Sequence, residues 1–550
     1  MERNTKKHPV LNNRPVLEYP NMNQTLLIVC LIVFPVCTSY SQTTLETSKW
    51  ECIDLPLSLD ETVEKPFQLK LSCEFTASDG YMITVPGFYN GQNKWVVRFN
   101  PNRTGTWKAV SQSPVHKLNS IHYTIEVAPA KPGNHGTVRR NPKNPQKLVY
   151  EDGTPYNTIA FECDWLFALD YGNLDLPKTK QLIEAVRSNG LNQIIMNVYA
   201  YDVSWEQDKD IDPKYQFGSK KEIFPYLGNN EEPDRSALNI DFFQHFDRVI
   251  DLLEANGIVS HLMIYVWNKQ VNWPEANSAA DNMYFDYVVK RYQAKNNILW
   301  DISKEALGYG HENIHYITER IARLRKLDAY DRLVTVHDYK YCSTYPEEVD
   351  MISAQLWSTD IYSIMLDLQK KYPDKPILNI EHGGYEKCQY HIFVGAYDDP
   401  VVCLERNYKC AFAGAYSCYY WQGTSWNVNI YSPFADEVTL RPKFEYYKYM
   451  KELLDKYKFE KLQPIEEKSP SGYCLANEEE GVYLYYVPKE NSAFPIRRLP
   501  EAEKMQLTWF NPLTGQYSEQ TEIDYRGWVE LFPKFDSVDN VLIVKLIDGK

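Results

Sequence analysis

The sequence predicts an α/β protein in which a (β/α)8 TIM barrel is flanked by N-terminal and C-terminal β-sandwich domains. Three observations carry this reading. Between about Leu148 and Tyr457, short apolar runs alternate with amphipathic helical segments in eight strand–helix units, the count and size of a closed parallel barrel. On both sides of that stretch the pattern changes to short alternating strands separated by turn residues. A doubly wound sheet, the competing arrangement, needs a Gly-rich first turn, and none is present.

Taken in order, residues 1–41 read as a leader and signal peptide. Met22 is the expected start, and Thr-Leu-Leu-Ile-Val-Cys-Leu-Ile-Val-Phe-Pro-Val at 25–36 is too short to span a bilayer. Ser39-Tyr40-Ser41 places small residues at the −3 and −1 positions of a cleavage site, so Gln42 is the expected first mature residue. The expectation is export to a periplasmic, cell-surface or extracellular location, with no membrane span.

Residues 48–130 read as the N-terminal sandwich, with strands at Phe67–Leu71, Lys94–Phe99 and Tyr123–Val127 around the turns Asn90-Gly91 and Pro101-Asn102-Arg103-Thr104-Gly105. A Pro/Gly/Asn-rich linker runs from Pro129 to about Pro145. Residues 146–460 form the barrel. Its expected strands are Thr158–Cys163, Gln193–Val198, Ser260–Tyr265, Ile298–Ile302, Leu333–Val336, Met351–Ala354, Ile377–Ile380 and Gly414–Tyr419. Helices are expected at Leu176–Ser188, Asp241–Ala255, Tyr284–Ala294 and Ile314–Leu327. Asn189-Gly190 and Asn256-Gly257 are helix stops. Residues 462–550 return to strand patterning at Gly481–Val487, Met505–Phe510 and Asn540–Leu546, with a turn at Asn511-Pro512-Leu513-Thr514-Gly515.

Composition narrows the function classes. The net charge of −14 excludes a nucleic-acid partner, which requires basic surface. Aromatic residues make up 14% of the chain. They serve β-rich packing, or stacking on the apolar faces of sugars, and both readings hold together in one chain. Of 11 cysteines, Cys30 and Cys37 fall in the leader, and the odd remainder is no disulfide framework. Cys403 and Cys410 lie about 10 Å apart along one expected helix, beyond disulfide reach. Cys52 and Cys73 are the one pairing expected, within the N-terminal sandwich. Without CxxC or HExxH, no metal is implied, and no cofactor is called for. The oligomeric state is not written in the sequence.

The chemistry lies at the strand ends, which in a parallel barrel converge on one mouth. Glu305 follows the run Asn297–Ser303 and Lys304; Glu381 follows Pro376–Ile380 and precedes His382-Gly383-Gly384. Two carboxylates at one mouth are the apparatus of glycoside hydrolysis. Asp164 and Trp165 follow the first strand, Tyr199 and Tyr201 the second, and Trp267 the third. His337 and Asp338 follow the fifth, Gln355 and Trp357 the sixth, and Trp421-Gln422 the eighth. These are candidate subsite walls, with Trp421 the expected floor under the sugar. Each has a blander reading as core, rim or hydrogen-bond support. Asp164 and Asp338 are the alternative acids if Glu305 and Glu381 are not the pair. Residues 202–236, an aromatic and charged insertion, are expected to shape the cleft.

The chain resembles the bacterial glycoside hydrolases that share an apiosidase-like barrel between an N-terminal sandwich and a C-terminal sandwich of collagen-binding type. The likeness rests on Val85–Gly91, Trp95–Phe99 and Thr104–Trp107 in the first part, and on Tyr150–Tyr156 with Cys163-Asp164-Trp165 at the barrel entry. Leu507–Gly515 carries it in the last part. In retaining hydrolases of this barrel clan the acid/base Glu follows strand four and the nucleophile Glu ends strand seven. The resemblance therefore implies Glu305 as acid/base and Glu381 as nucleophile of a secreted hydrolase of plant or algal polysaccharide or oligosaccharide. The clan has Asn before its acid/base, often touching the sugar 2-OH; here Lys304 stands in that place. A lysine there reads as a contact for a sulfate or carboxylate on the substrate. It also keeps open a second reading, a carbohydrate-binding relative that has lost its chemistry. The collagen-binding label is a fold-level name and establishes no function.

Overall fold

The computed structural model describes residues 43–202, 222–309, 313–382, 400–420, 442–469 and 472–547. The leader and the expected cleavage site lie outside these residues, as do Trp421-Gln422 and residues 203–221 of the insertion. Among the described residues no helix is long and apolar enough to cross a membrane.

The N-terminal region is a two-sheet sandwich. Five strands (Thr43–Ser48, Ser72–Ala77, Met82–Pro86, Gly105–Gln112, His122–Ala128) face a smaller sheet of Ile53–Ser58, Phe88–Tyr89 and Lys94–Phe99. Alternate residues turn inward, so Phe75 stacks on Phe99 with ring centroids 3.8 Å apart and Trp107 meets the same ring edge-on at 5.1 Å.

Two expectations for this region are corrected. Phe67–Leu71 is not a strand. Pro66 opens a 3-10 turn over Pro66–Gln68, because proline fixes φ and removes the donor a ladder needs; the Pro66 carbonyl accepts Trp95 Nε1 at 3.1 Å. Cys52 and Cys73 do not pair. The Cys52 thiol donates to Ala294 O at 2.9 Å, in the barrel, while Cys73 is sealed in the sandwich core.

The Pro/Gly/Asn-rich linker carries more order than its composition suggests. Val138–Arg140 pairs antiparallel with Leu148–Tyr150. Arg98 fixes the sandwich to the barrel. It grips Asp54 with two bonds of 2.8 and 3.0 Å and reaches Asp247 at 3.3 Å, where Arg291 also binds at 2.7 Å. Burial raises the Asp247 carboxyl, but the two guanidinium groups outweigh it and hold it down at about 2.

The barrel strands are β1 (Ile159–Glu162), β2 (Gln193–Asn197), β3 (Val259–Val266), β4 (Ile298–Lys304), β5 (Val334–His337), β6 (Ile352–Gln355), β7 (Ile377–Glu381) and β8 (Tyr416–Tyr419). They are almost wholly buried, as strands covered on both faces must be. All ladders are parallel, and β8 pairs with β1. The ring is nearly closed: β5 and β6 share no continuous ladder. Asp350 N donates to Val334 O at 2.8 Å across this seam, and Thr335 Oγ1 bonds Met351 O at 3.0 Å and Ser353 Oγ at 2.9 Å.

Helices cover the outside, beginning where caps permit. Asn239 Oδ1 accepts Phe242 N for the helix Ile240–Ala255, and Ser278 Oγ accepts Asp281 N for Ala279–Tyr292. What remains described of the insertion is a hairpin of Tyr226–Gly228 and Pro233–Leu238.

The C-terminal region has a six-stranded antiparallel sheet and a two-stranded one, Phe494–Arg497 with Trp528–Leu531. It sits on the helix Pro400–Phe412, where Tyr408 and Tyr486 stack at 5.3 Å. Its turn at Gly515 has φ +68°, and a Cβ there would drive into the Tyr449 ring. Only glycine meets both demands.

Candidate active site

The strand register brings the site residues to one rim. Val266 of β3, Lys304 of β4 and His337 of β5 are successive neighbours, and Gln355 of β6 faces Glu381 of β7. The ladder between β4 and β5 is irregular between Asp301 and Lys304. Just past it, Glu305 takes φ +57°, a left-handed backbone that costs a non-glycine residue about 1 kcal/mol. Neighbours hold the turn. Glu305 N donates to His337 O at 3.1 Å, and Asp338 accepts Leu307 N at 3.3 Å while capping the helix Tyr339–Thr344.

The two glutamates sit in opposite surroundings. Gln355 Nε2 donates to Glu305 Oε1 at 2.6 Å. Burial pushes the Glu305 carboxyl up, the Glu381 charge adds to this, and Lys304 and Gln355 only partly offset it. Glu381 Oε2 lies 3.1 Å from Lys304 Nζ and 3.4 Å from His337 Nε2. Burial opposes ionisation there too, but the Lys304 ammonium and His337 overcome it and hold Glu381 well below the usual carboxylate range.

Two further acidic groups share this lysine. Glu162 Oε1 is 2.5 Å from Lys304 Nζ and Asp164 Oδ2 is 3.3 Å away; Lys269 Nζ reaches Asp164 Oδ2 at 3.4 Å. Burial drives Glu162 well up, against the pull of Lys304. Burial also lowers Lys269, whereas at Lys304 the charges of Asp164, Glu162 and Glu381 overcome burial and raise it.

A polar layer inside the barrel supports the rim from below. Asp301 Oδ1 accepts His337 N at 2.8 Å, Asp301 Oδ2 meets His261 Nε2 at 2.9 Å, and His261 Nδ1 meets Gln193 Nε2 at 3.1 Å. Among the described residues no group of three His, Cys, Asp or Glu is arranged to hold a metal ion.

The structure thus gathers Asp164, Lys304, Glu305, His337, Gln355 and Glu381. The other predicted residues have partners of their own, and Trp165 and Tyr199 belong to the core instead of a subsite wall. Trp165 is fully buried, with the Lys269 ammonium 5.5 Å from its ring centre. Tyr199 is packed edge-on between Phe167 and Phe224, within a buried aromatic cluster. Tyr201 donates to Glu231 Oε1 at 3.1 Å, and half-buried Trp267 lies along Tyr265. His382 is buried, its carbonyl taken by Arg406 Nε at 2.8 Å. Trp357 meets Tyr420 edge-on at 5.3 Å.

Sequence reasoning missed Glu162, Lys269 and Tyr420. The buried Tyr420 hydroxyl has no hydrogen-bond partner among the described residues, and after burial the Glu381 charge is the largest influence raising it. For Glu162 a signal existed: a carboxylate closing the apolar run Ile159-Ala160-Phe161 is costly to bury and calls for a cationic partner.

Comparisons with known proteins bear on the family and the fold. Residues 142–461 match the family described as apiosidase-like, catalytic domain, and residues 46–113 match a domain of unknown function, DUF5060. No curated protein matches the chain. A Bacteroides vulgatus ATCC 8482 structure described as a "putative glycoside hydrolase" aligns over 92% of this chain and 100% of its own, with TM-score 0.71 and 19% identity. A glycoside hydrolase family 5 structure from the same organism aligns over 76% of this chain and 94% of its own, with TM-score 0.55 and 16% identity. At such identities the likeness speaks for the shared fold. With more than half of its length matched by that catalytic domain, the chain belongs to the apiosidase-like family and is a glycoside hydrolase.

Proposed function

We propose that the protein hydrolyses O-glycosidic bonds of a plant or algal polysaccharide or oligosaccharide by double displacement, with Glu305 as acid/base and Glu381 as nucleophile. One observation carries this reading: Glu305, just past β4, and Glu381, at the end of β7, stand in opposite surroundings, with the Gln355 amide on the first and the Lys304 ammonium and His337 on the second. That division is what assigns an acid and a nucleophile at neutral pH.

In the first step the ionised Glu381 attacks the anomeric carbon while Glu305 gives its proton to the departing oxygen. The glycosidic C–O bond breaks and a glycosyl ester forms on Glu381. Glu305, now a carboxylate, then takes a proton from water, whose oxygen attacks the anomeric carbon and frees Glu381. Burial of Glu305 and its half-shielded contact with Gln355 suit a group that changes charge twice per turnover. Export is proposed with this activity, on the apolar segment at 25–36 and its small-residue cleavage site.

The test is reducing-sugar release from a panel of purified plant and algal polysaccharides, comparing wild type with Glu381→Gln. Wild-type release, lost by at least about 10³-fold in the variant, with the first product retaining its anomeric configuration by NMR, is the expected result. Binding without release by wild type would favour the non-catalytic alternative. An inverted first product would replace double displacement with single displacement.

A further inference from the structure

The lysine before Glu305 departs from the clan pattern, and its surroundings give it a different task from reading the substrate. An ammonium has three N–H donors and no more. Lys304 is buried, with acidic oxygens of Glu162, Glu381 and Asp164 at 2.5, 3.1 and 3.3 Å. Glu162 and Asp164 accept hydrogen bonds from it and Glu381 lies within ion-pair distance, so the protein's own carboxyls surround the ammonium where a sulfate or carboxylate of the substrate would have to sit. We propose that Lys304 is a positioning residue: it clamps the Glu381 carboxylate against the barrel rim and decides which of Glu305 and Glu381 holds the proton. This rests on the reading of those two glutamates as the reacting pair.

The charge balance explains why one lysine has that leverage. Fully ionised Glu162, Asp164 and Glu381 carry three negative charges, against the two positive charges of Lys304 and Lys269. Ionising Glu305, half-buried beside them, would set four negative charges against two positive ones. Like charges so close cannot all be held. The other titratable groups facing the cluster are Cys163 just past β1, His337 from β5, Tyr309 past Glu305, Cys418 from β8 and Tyr420 just after it. Among the described groups around it, Lys304 alone touches Glu381 as a permanent cation.

The prediction follows in sign. Lys304 lowers both Glu381 and Glu305, so its removal raises both. In Lys304→Met, the acid limb of kcat/KM, set by ionisation of Glu381, moves up by about one to three pH units, and the alkaline limb, set by Glu305, moves the same way. The double variant Lys304→Met/Glu162→Gln also removes the buried carboxyl that Lys304 partners. It serves the same purpose if the single variant does not fold.

The experiment measures pH–rate profiles on the 4-nitrophenyl glycoside that wild type turns over fastest. Infrared titration of the carboxyl band removed by Glu381→Gln gives the same quantity without substrate. An acid limb, or a Glu381 titration, displaced upward in the lysine variants supports the proposal. A limb and a titration that stay in place overturn it, whatever the loss of rate, as does a loss confined to sulfated or uronic substrates. Unimpaired turnover by Glu381→Gln would instead remove the nucleophile assignment, an outcome separate from the lysine result.

Discussion

Gln355→Leu tests the acid/base assignment through a single hydrogen bond. Gln355 Nε2 donates to Glu305 Oε1 at 2.6 Å, and a donor to an ionised acceptor contributes about 1.5–3 kcal/mol. Leucine fills similar space and offers no donor. At about 1.4 kcal/mol per pH unit, the loss corresponds to one or two units, and because Glu305 is partly solvated the lower figure, about one unit, applies. The bond favours the charged form, so its removal raises Glu305 further. The protonated acid then survives to higher pH, and the alkaline limb of kcat/KM moves up by about one unit. Glu381 receives nothing from Gln355, so the acid limb stays where it is. Initial rates on an aryl glycoside across pH 3 to 10 give both limbs at once. An alkaline limb that stays fixed, or moves down, would refute the role given to Glu305.

Two further predictions concern stability. Asp247 titrates near 2 in the folded chain, below an ordinary aspartate, so it contributes about 2 kcal/mol that is present at neutral pH and lost as pH falls from about 5 to 2. In Asp247→Asn this part of the acid destabilisation disappears from urea unfolding midpoints; an unchanged pH dependence would count against the Arg98–Asp247–Arg291 junction. Gly515→Ala places a Cβ into Tyr449 at φ +68° and should destabilise by about 1–3 kcal/mol, seen as a lowered thermal midpoint. A raised midpoint would show that the turn relaxes freely.

Much of the barrel was legible because its strands and helices obey different periods. Ile314–Leu327 occurs as expected, behind an Asn313 cap, and the strand expected at Thr158–Cys163 occurs at Ile159–Glu162. What escaped depended on distant partners. Pro129 to Pro145 reads as linker by composition, yet Val138–Arg140 finds a strand partner in Leu148–Tyr150. Cys52 and Cys73 share a sandwich in sequence, but Cys52 faces a barrel carbonyl. At the site, Glu305 and Glu381 were visible because strand ends announce themselves. The Lys304 cluster was not. It joins the ends of β1, β4 and β7, and no spacing along one strand encodes which ammonium a carboxylate meets across a barrel. Asp338 illustrates the same limit: it was grouped with sugar contacts, and its carboxylate is occupied by three main-chain N–H groups, of Leu307, Lys340 and Tyr341.

The seam between β5 and β6 has a consequence for catalysis. The strand on one side ends in His337, which attends Glu381, and the strand on the other ends in Gln355, which attends Glu305. This is the one junction of the ring stitched by a few isolated bonds instead of a ladder. A small parting of these two staves would draw both attendants away together, so acid strength and nucleophile charge would drift in concert. The weakest stitch of the cylinder therefore lies where its chemistry is most sensitive to being unpicked.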